Sequence, residues 1–231
     1  MTVFLLSEAL RFPRPELADP DGLLAVGGDL APERLLLAYQ MGIFPWYGND
    51  TPILWWSPNP RLVLFPNDLK VSKSLQRVIA KGIFAVTLDR AFRDVIEHCS
   101  TVRRGGVEGT WLVPEMIEAY CRLHQLGYAH SVESWHEGVL VGGLYGVALG
   151  KVFFGESMFT LKTDASKVAL VHLVKLLQAG EFQLIDCQVS TRHLQSLGAR
   201  EISRREFLTR LAGALDGEDL RPTPEMFAEA R

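Results

Sequence analysis

The 231-residue chain is 48% hydrophobic and carries a formal charge of −3, so it holds enough apolar side chain to bury a substantial core, in one large domain or two unequal ones. Cys99, Cys121 and Cys187 are odd in number, widely spaced and free of any C-x-x-C pairing, so neither a disulfide framework nor a zinc site is indicated, and a reducing cytoplasm fits. Met1–Leu10 has no basic stretch ahead of a long apolar run, and the uncharged segment Val139–Gly150 is short and broken by glycines. Neither a signal peptide nor a membrane span is expected.

In chain order, Pro13, Pro15, Pro20, Pro32, Pro45, Pro52, Pro58 and Pro60 crowd the first sixty residues and predict turns and short elements. One helix is expected there, from Pro32 to Met41 with Gly42 as terminator and Ala31 as a poor N-cap. Residues 1–62 are read as a small accessory domain and 63–231 as the main one. From Arg61 the pattern becomes α/β: strand Arg61–Phe65, helix Val71–Lys81, strand Phe84–Leu88, helix Ala91–Cys99, then a helix opened by Pro114 and closed by Gly127. Ala129–Trp135, Val139–Ala148 and Val152–Met158 read as consecutive antiparallel strands. A largely apolar helix, Asp164–Ala179, a buried strand, Gln183–Gln188, and a last helix opened by the capping box Ser203-x-x-Glu206 complete a mixed sheet flanked by helices.

Charge is uneven, because Arg61–Arg104 holds nine Lys or Arg against four Asp or Glu, a balance of +5. Such a segment suits a polyanionic partner or is an ordinary solvated face.

Three constellations bear on chemistry. Regular strand alternation would set Asp186 and Gln188 side by side, an acid and an amide on one surface; the plainer reading is an ion pair from Asp186 to Arg192 or another cation. The same alternation would put Glu156 and Met158 on one face, a carboxylate beside a soft apolar patch, unless both are ordinary core packing. Trp46, Trp55, Trp56 and Trp111 sit in loops marked by glycine or proline, where aromatic rings stack on unpaired bases or plug the space between domains. His172 is expected half-buried on the apolar helix, and His193 is an alternative acid or base. There is no P-loop, G-x-G-x-x-G, H-E-x-x-H or G-x-S-x-G, so the chemistry is expected to need no metal, nucleotide cofactor or covalent intermediate.

Eight stretches carry a family pattern: Gly22–Leu30 (GLLAVGGDL), Tyr39–Tyr47 (YQMGIFPWY), Pro52–Pro58 (PILWWSP), Glu108–Trp111 (EGTW), Leu140–Gly146 (LVGGLYG), Gly155–Phe159 (GESMF), Ala165–Lys167 (ASK) and Leu184–Gln188 (LIDCQ). In this order, from about Phe12 to Phe207, the chain resembles the leucyl/phenylalanyl-tRNA–protein transferases. The resemblance implies a GNAT-like acyltransferase domain without the glycine-rich turn that binds coenzyme A. It also implies leucyl- or phenylalanyl-tRNA as donor, acceptor proteins that begin with Arg or Lys, and a product recognised by the bacterial N-end rule pathway.

By the same resemblance, Trp46 and Trp111, with Tyr39 weaker, flank the terminal adenosine. Glu156, Asp186 and Gln188 form the polar centre, and Leu144, Met158, Leu170, Leu173, Leu177 and Ile185 line the amino-acid pocket, whose shape bears on a choice among Leu, Phe and Met. The expected state is a cytoplasmic monomer. Two rival readings are an acyl-CoA-dependent N-acetyltransferase and a non-catalytic RNA-binding adaptor.

Overall fold

The computed structural model describes residues 3–101 and 112–216. The first part of the chain forms β1 (Phe4–Leu6), β2 (Leu23–Gly27), α1 (Pro32–Gln40), β3 (Phe44–Pro45) and β4 (Leu54–Trp56). Four strands of two to five residues assemble in the order β1-β2-β4-β3. They are too short for alternation to show in the sequence, which predicts turns and short elements there but no named strand. Pro32 does open α1, Ala31 makes no side-chain cap, and Asp29 Oδ1 accepts the Ala31 N–H at 2.9 Å in its place. The chain leaves the helix at Gly42, whose φ of +70° suits a residue without Cβ.

The rest forms β5 (Arg61–Leu64), α2 (Lys73–Ala80), β6 (Ala85–Leu88), α3 (Phe92–Thr101), α4 (Pro114–Gln125), β7 (Ala129–His136), β8 (Val139–Leu149), β9 (Val152–Thr160), α5 (Ala165–Ala179), β10 (Leu184–Gln188), α6 (Arg192–Ser196), β11 (Arg200–Ile202) and α7 (Arg204–Ala214). A seven-stranded mixed sheet runs β11-β5-β10-β9-β8-β7-β6. The mixed α/β class and the β7-β8-β9 meander are as expected, and Ser203 Oγ accepts the Glu206 N–H as the capping box requires. The three-residue β11 and five-residue α6 have no counterpart among the expected elements.

Two apolar layers cover the sheet. One joins Leu24, Tyr39 and Trp55 of the first part to Val95, Tyr120 and Phe154 of the second, so a single core runs through both. The other packs Leu144, Phe153 and Ile185 against Leu170, Leu173 and Leu177 of α5. At Gly146 a Cβ would lie 2.2 Å from the Phe154 carbonyl oxygen and 2.5 Å from the Phe153 ring. Gly146→Ala is therefore expected to cost about 1–3 kcal/mol of stability, read as a lower urea midpoint at an unchanged m-value. Among the described residues no helix is long and apolar enough to cross a membrane.

Candidate active site

β9 and β10 run parallel and pair at Leu184↔Val152, Ile185↔Phe153 and Asp186↔Phe154, the last partners in their register. Two irregularities sit at that point. On β9, Gly146 pairs Gly155 and Tyr145 pairs Ser157, leaving Glu156 as an extra residue. Such a bulge inverts the facing of everything beyond it. Glu156 follows Phe154 toward Tyr39 and Tyr120, whereas Met158 turns to the α5 layer with Leu144 and Phe153. The expectation that Glu156 and Met158 share a face is corrected by this slip, although both line one cavity.

The second slip falls between Asp186 and Gln188 on β10, where Gln188 adopts φ +62°. Regular alternation fails here too, so acid and amide do not lie side by side. Asp186, 0% exposed, accepts the Gln188 backbone N–H at 2.9 Å on Oδ1. Both its oxygens also receive the Arg61 guanidinium, Nε to Oδ1 at 2.8 Å and Nη2 to Oδ2 at 2.6 Å. Its cation is thus Arg61 and not Arg192. The Gln188 side chain points the other way, Nε2 donating to Glu156 Oε1 at 2.7 Å.

Glu156 also accepts Tyr39 Oη on Oε1 at 2.8 Å and Tyr120 Oη on Oε2 at 2.9 Å, and the two phenols lie 2.6 Å apart. With the carboxylate ionised, two phenolic hydrogens must serve three contacts. One proton on Glu156 supplies the third and closes the ring. Burial pushes the Glu156 carboxyl up to about 7, the tyrosine and Gln188 hydrogen bonds oppose the rise, and the Asp186 charge adds to it. Burial, with the Glu156 charge, also holds both tyrosines well above their ordinary range.

The cavity at the parting of the strands measures about 520 Å³. Of the expected pocket residues, Leu144, Met158, Leu170, Leu173 and Ile185 line it, as do Trp46, Glu156 and Gln188. Leu177 does not; it is fully buried in the α5 layer. Tyr39 and Asp186 stand behind the wall, reaching it through Glu156 and through Gln188. Trp111 and the Glu108–Trp111 stretch lie outside the described residues. Trp46 is 39% exposed at the rim, while Trp55 is core, donating to the Gly27 carbonyl at 2.9 Å. His193 lines the cavity, its pKa lowered by burial and by Lys167; half-buried His172 bonds the Val168 carbonyl of its own helix.

Arg61, Tyr120 and Phe44 are site residues that sequence reasoning missed. Arg61 counted there as part of a basic segment, Tyr120 as an ordinary member of the α4 pattern, and Phe44 only as a letter of a motif. No local signal marks a partner 125 or 36 positions away.

Comparison with known proteins supplies the context for this geometry. The family model described as leucyl/phenylalanyl-tRNA protein transferase matches residues 63–212, and that of its N-terminal domain matches residues 28–59. A protein of Syntrophobacter fumaroxidans named leucyl/phenylalanyl-tRNA–protein transferase is 73% identical over 92% of this chain and 91% of its own. One of the same name from Anaeromyxobacter sp. strain Fw109-5 is 62% identical over 96% and 94%. The solved structure of a GCN5-related N-acetyltransferase from Kribbella flavida superposes with a TM-score of 0.36 at 14% identity, over 73% of this chain and 60% of that one. On its sequence matches, this chain belongs to the leucyl/phenylalanyl-tRNA protein transferase family.

Proposed function

We propose that the protein moves leucine or phenylalanine, with methionine within reach of the same pocket, from aminoacyl-tRNA to the N-terminal amine of proteins beginning with Arg or Lys, marking them for the N-end rule pathway. The observation that carries this reading is an apolar cavity with the Glu156–Gln188 couple in its wall. The reaction is aminolysis of the ester between amino acid and tRNA ribose. The ester supplies the driving force, and an α-amine with a pKa of about 8 is partly neutral at physiological pH. Positioning then does much of the work, since oriented reactants reach effective molarities of about 10⁵ M or more.

Gln188 Nε2 is engaged by Glu156, which leaves its amide oxygen to accept a hydrogen bond from the attacking amine. An amide is no base at neutral pH, whereas a cavity-lining carboxyl titrating near 7 is matched to accept the proton. We assign that role to Glu156. The Arg61 ion pair favours an orienting role for Asp186 over attraction of the acceptor's cation. Leu144, Met158, Leu170, Leu173 and Ile185 take the amino-acid side chain by apolar burial, worth about 25 cal/mol per Å², while Trp46 and Trp111 take the adenosine. Residues 1–62 act as an accessory unit that contributes Trp46 to the cavity.

Labelled leucine should pass from leucyl-tRNA to an Arg-initiated peptide, and neither uncharged tRNA with free leucine nor acetyl-CoA should substitute. Acetyl transfer would favour the N-acetyltransferase reading, and tRNA binding without transfer the adaptor. The tRNA body is assigned to exposed cations of the 61–104 segment other than buried Arg61. Lys73, Arg77 and Lys81 recur at helical spacing along α2 and just past it, all exposed. Changing these three to Ala should weaken tRNA binding and flatten the slope of log K against log salt by about 0.7–0.9 for each phosphate no longer neutralised. An unchanged slope would place the tRNA elsewhere. A monomer in the cytoplasm is the expected working state.

A further inference from the structure

We propose that Arg61 is a positioning residue for the transfer reaction, setting Gln188 and the Trp46 loop against one another through a buried guanidinium that neither substrate touches. The inference rests on the transferase reading above. Arg61 is 1% exposed and stands among three parts of the chain. Its fork holds Asp186, whose Oδ1 in turn holds the Gln188 N–H at the left-handed turn that swings the amide onto Glu156. Its guanidinium lies over two rings, its carbon being 4.7 Å from the centroid of Phe44 and 4.5 Å from that of Phe207. Phe44 lines the cavity two residues from Trp46. Phe207 backs the same loop, since a Cβ at Gly42 would come within 2.8 Å of its ring.

Burying an ion pair is a weak source of stability, because lost hydration offsets most of the attraction. Here one further donor, Nη1, is buried without a hydrogen-bond partner, which adds cost. What the guanidinium supplies and an apolar pair would not is direction. Two hydrogen bonds from one planar group fix the rotation of Asp186, and the rings of Phe44 and Phe207 against the guanidinium hold it in place. The nucleophile's side of the cavity and its aromatic side are thereby referred to one rigid group. A misplacement of about 1 Å can cost about 10²-fold in rate, so the register between Gln188 and Trp46 is where Arg61 acts.

Arg61→Lys tests this directly, because it keeps the charge but loses the fork and the planar face. The expected result is a kcat for leucine transfer from charged tRNA to an Arg-initiated peptide lower by at least about 30-fold, with the Kd for a non-reactive amide analogue of leucyl-adenosine within about threefold of wild type. Arg61 and Asp186 working as one unit also requires Arg61→Lys combined with Asp186→Asn to be no more than about threefold slower than the slower single variant. A kcat near wild type, losses that multiply, or equal damage to kcat and analogue binding would each overturn the positioning role.

If Arg61→Lys fails to fold, Arg61→Met with Asp186→Leu replaces the pair by apolar residues of similar volume, a change that folded proteins tolerate. Lost turnover with intact analogue binding then supports the proposal, and wild-type turnover overturns it. Transfer by the wild-type protein is the control. Its absence sinks the transferase reading itself, whereas equal transfer by wild type and Arg61→Lys sinks only the role of Arg61.

Discussion

Asp186→Asn is expected to lower the single-turnover rate of leucine transfer by about 10²-fold while leaving affinity for charged tRNA within about threefold, the split that marks loss of orientation and not of binding. Both Asp186 oxygens receive Arg61 donors, and one also receives the Gln188 N–H. Asn offers one oxygen. If that oxygen stays with Gln188 and Arg61 Nε, the new amide nitrogen faces Nη2, donor against donor, at a site where 2.6 Å now separates the heavy atoms. If the amide turns over, the Gln188 N–H loses its acceptor and nothing holds the left-handed turn. Either way the Gln188 side chain loses its fixed approach to Glu156, and the amine meets an amide in the wrong place. Rapid-quench measurement with saturating enzyme separates this from slow product release, and a single-turnover rate equal to wild type would remove Asp186 from the mechanism.

Glu156→Gln should have opposite effects on stability and on activity, and both are large. The Glu156 carboxyl is raised from 4.5 to about 7, so the folded state holds this proton more tightly than the unfolded chain does. The associated stability is fully present below the unfolded value near 4.5 and is lost as pH rises through 7. It amounts to roughly 3 kcal/mol by linkage. Gln does not titrate, yet it closes the same ring: its oxygen accepts from Tyr39 and Gln188, and its NH₂ donates to Tyr120, which donates to Tyr39. The variant should therefore gain on wild type as pH rises from 5 to 8, by several degrees in Tm for a chain of this size. Parallel Tm curves across that range would show that Glu156 does not carry the titration. Transfer, by contrast, should fall by about 10²-fold or more, because the group assigned to accept the amine's proton no longer can. A variant that gained stability at pH 8 and kept wild-type turnover would move the acceptor role to another cavity residue, with His193 next in line.

Long periodic elements were legible in the residues alone. The β7-β8-β9 meander, the apolar α5, the proline-opened α1 and α4 and the Ser203–Glu206 box all follow from patterns contained within ten or so positions. The cavity wall came from the family resemblance over the whole chain and not from local pattern: Leu144, Met158, Leu170, Leu173 and Ile185 line it, whereas Leu177, Tyr39 and Asp186 do not. How those side chains face was not legible. Facing in a strand is set by counting twos from a neighbour, and one extra residue inverts the count. The slips at Glu156 and Gln188 arise from how β8 and β5 pair across the sheet, which no run of residues within β9 or β10 encodes. The partners of the buried acids were hidden for the same reason. Arg61 reaches Asp186 and Tyr120 reaches Glu156 only because the sheet and α4 bring distant segments together, and burial then makes each pairing obligatory by stripping away the water that would otherwise satisfy them. The chain by itself determined which groups are available; the packed fold decided which of them meet, and a buried charge leaves that choice no freedom.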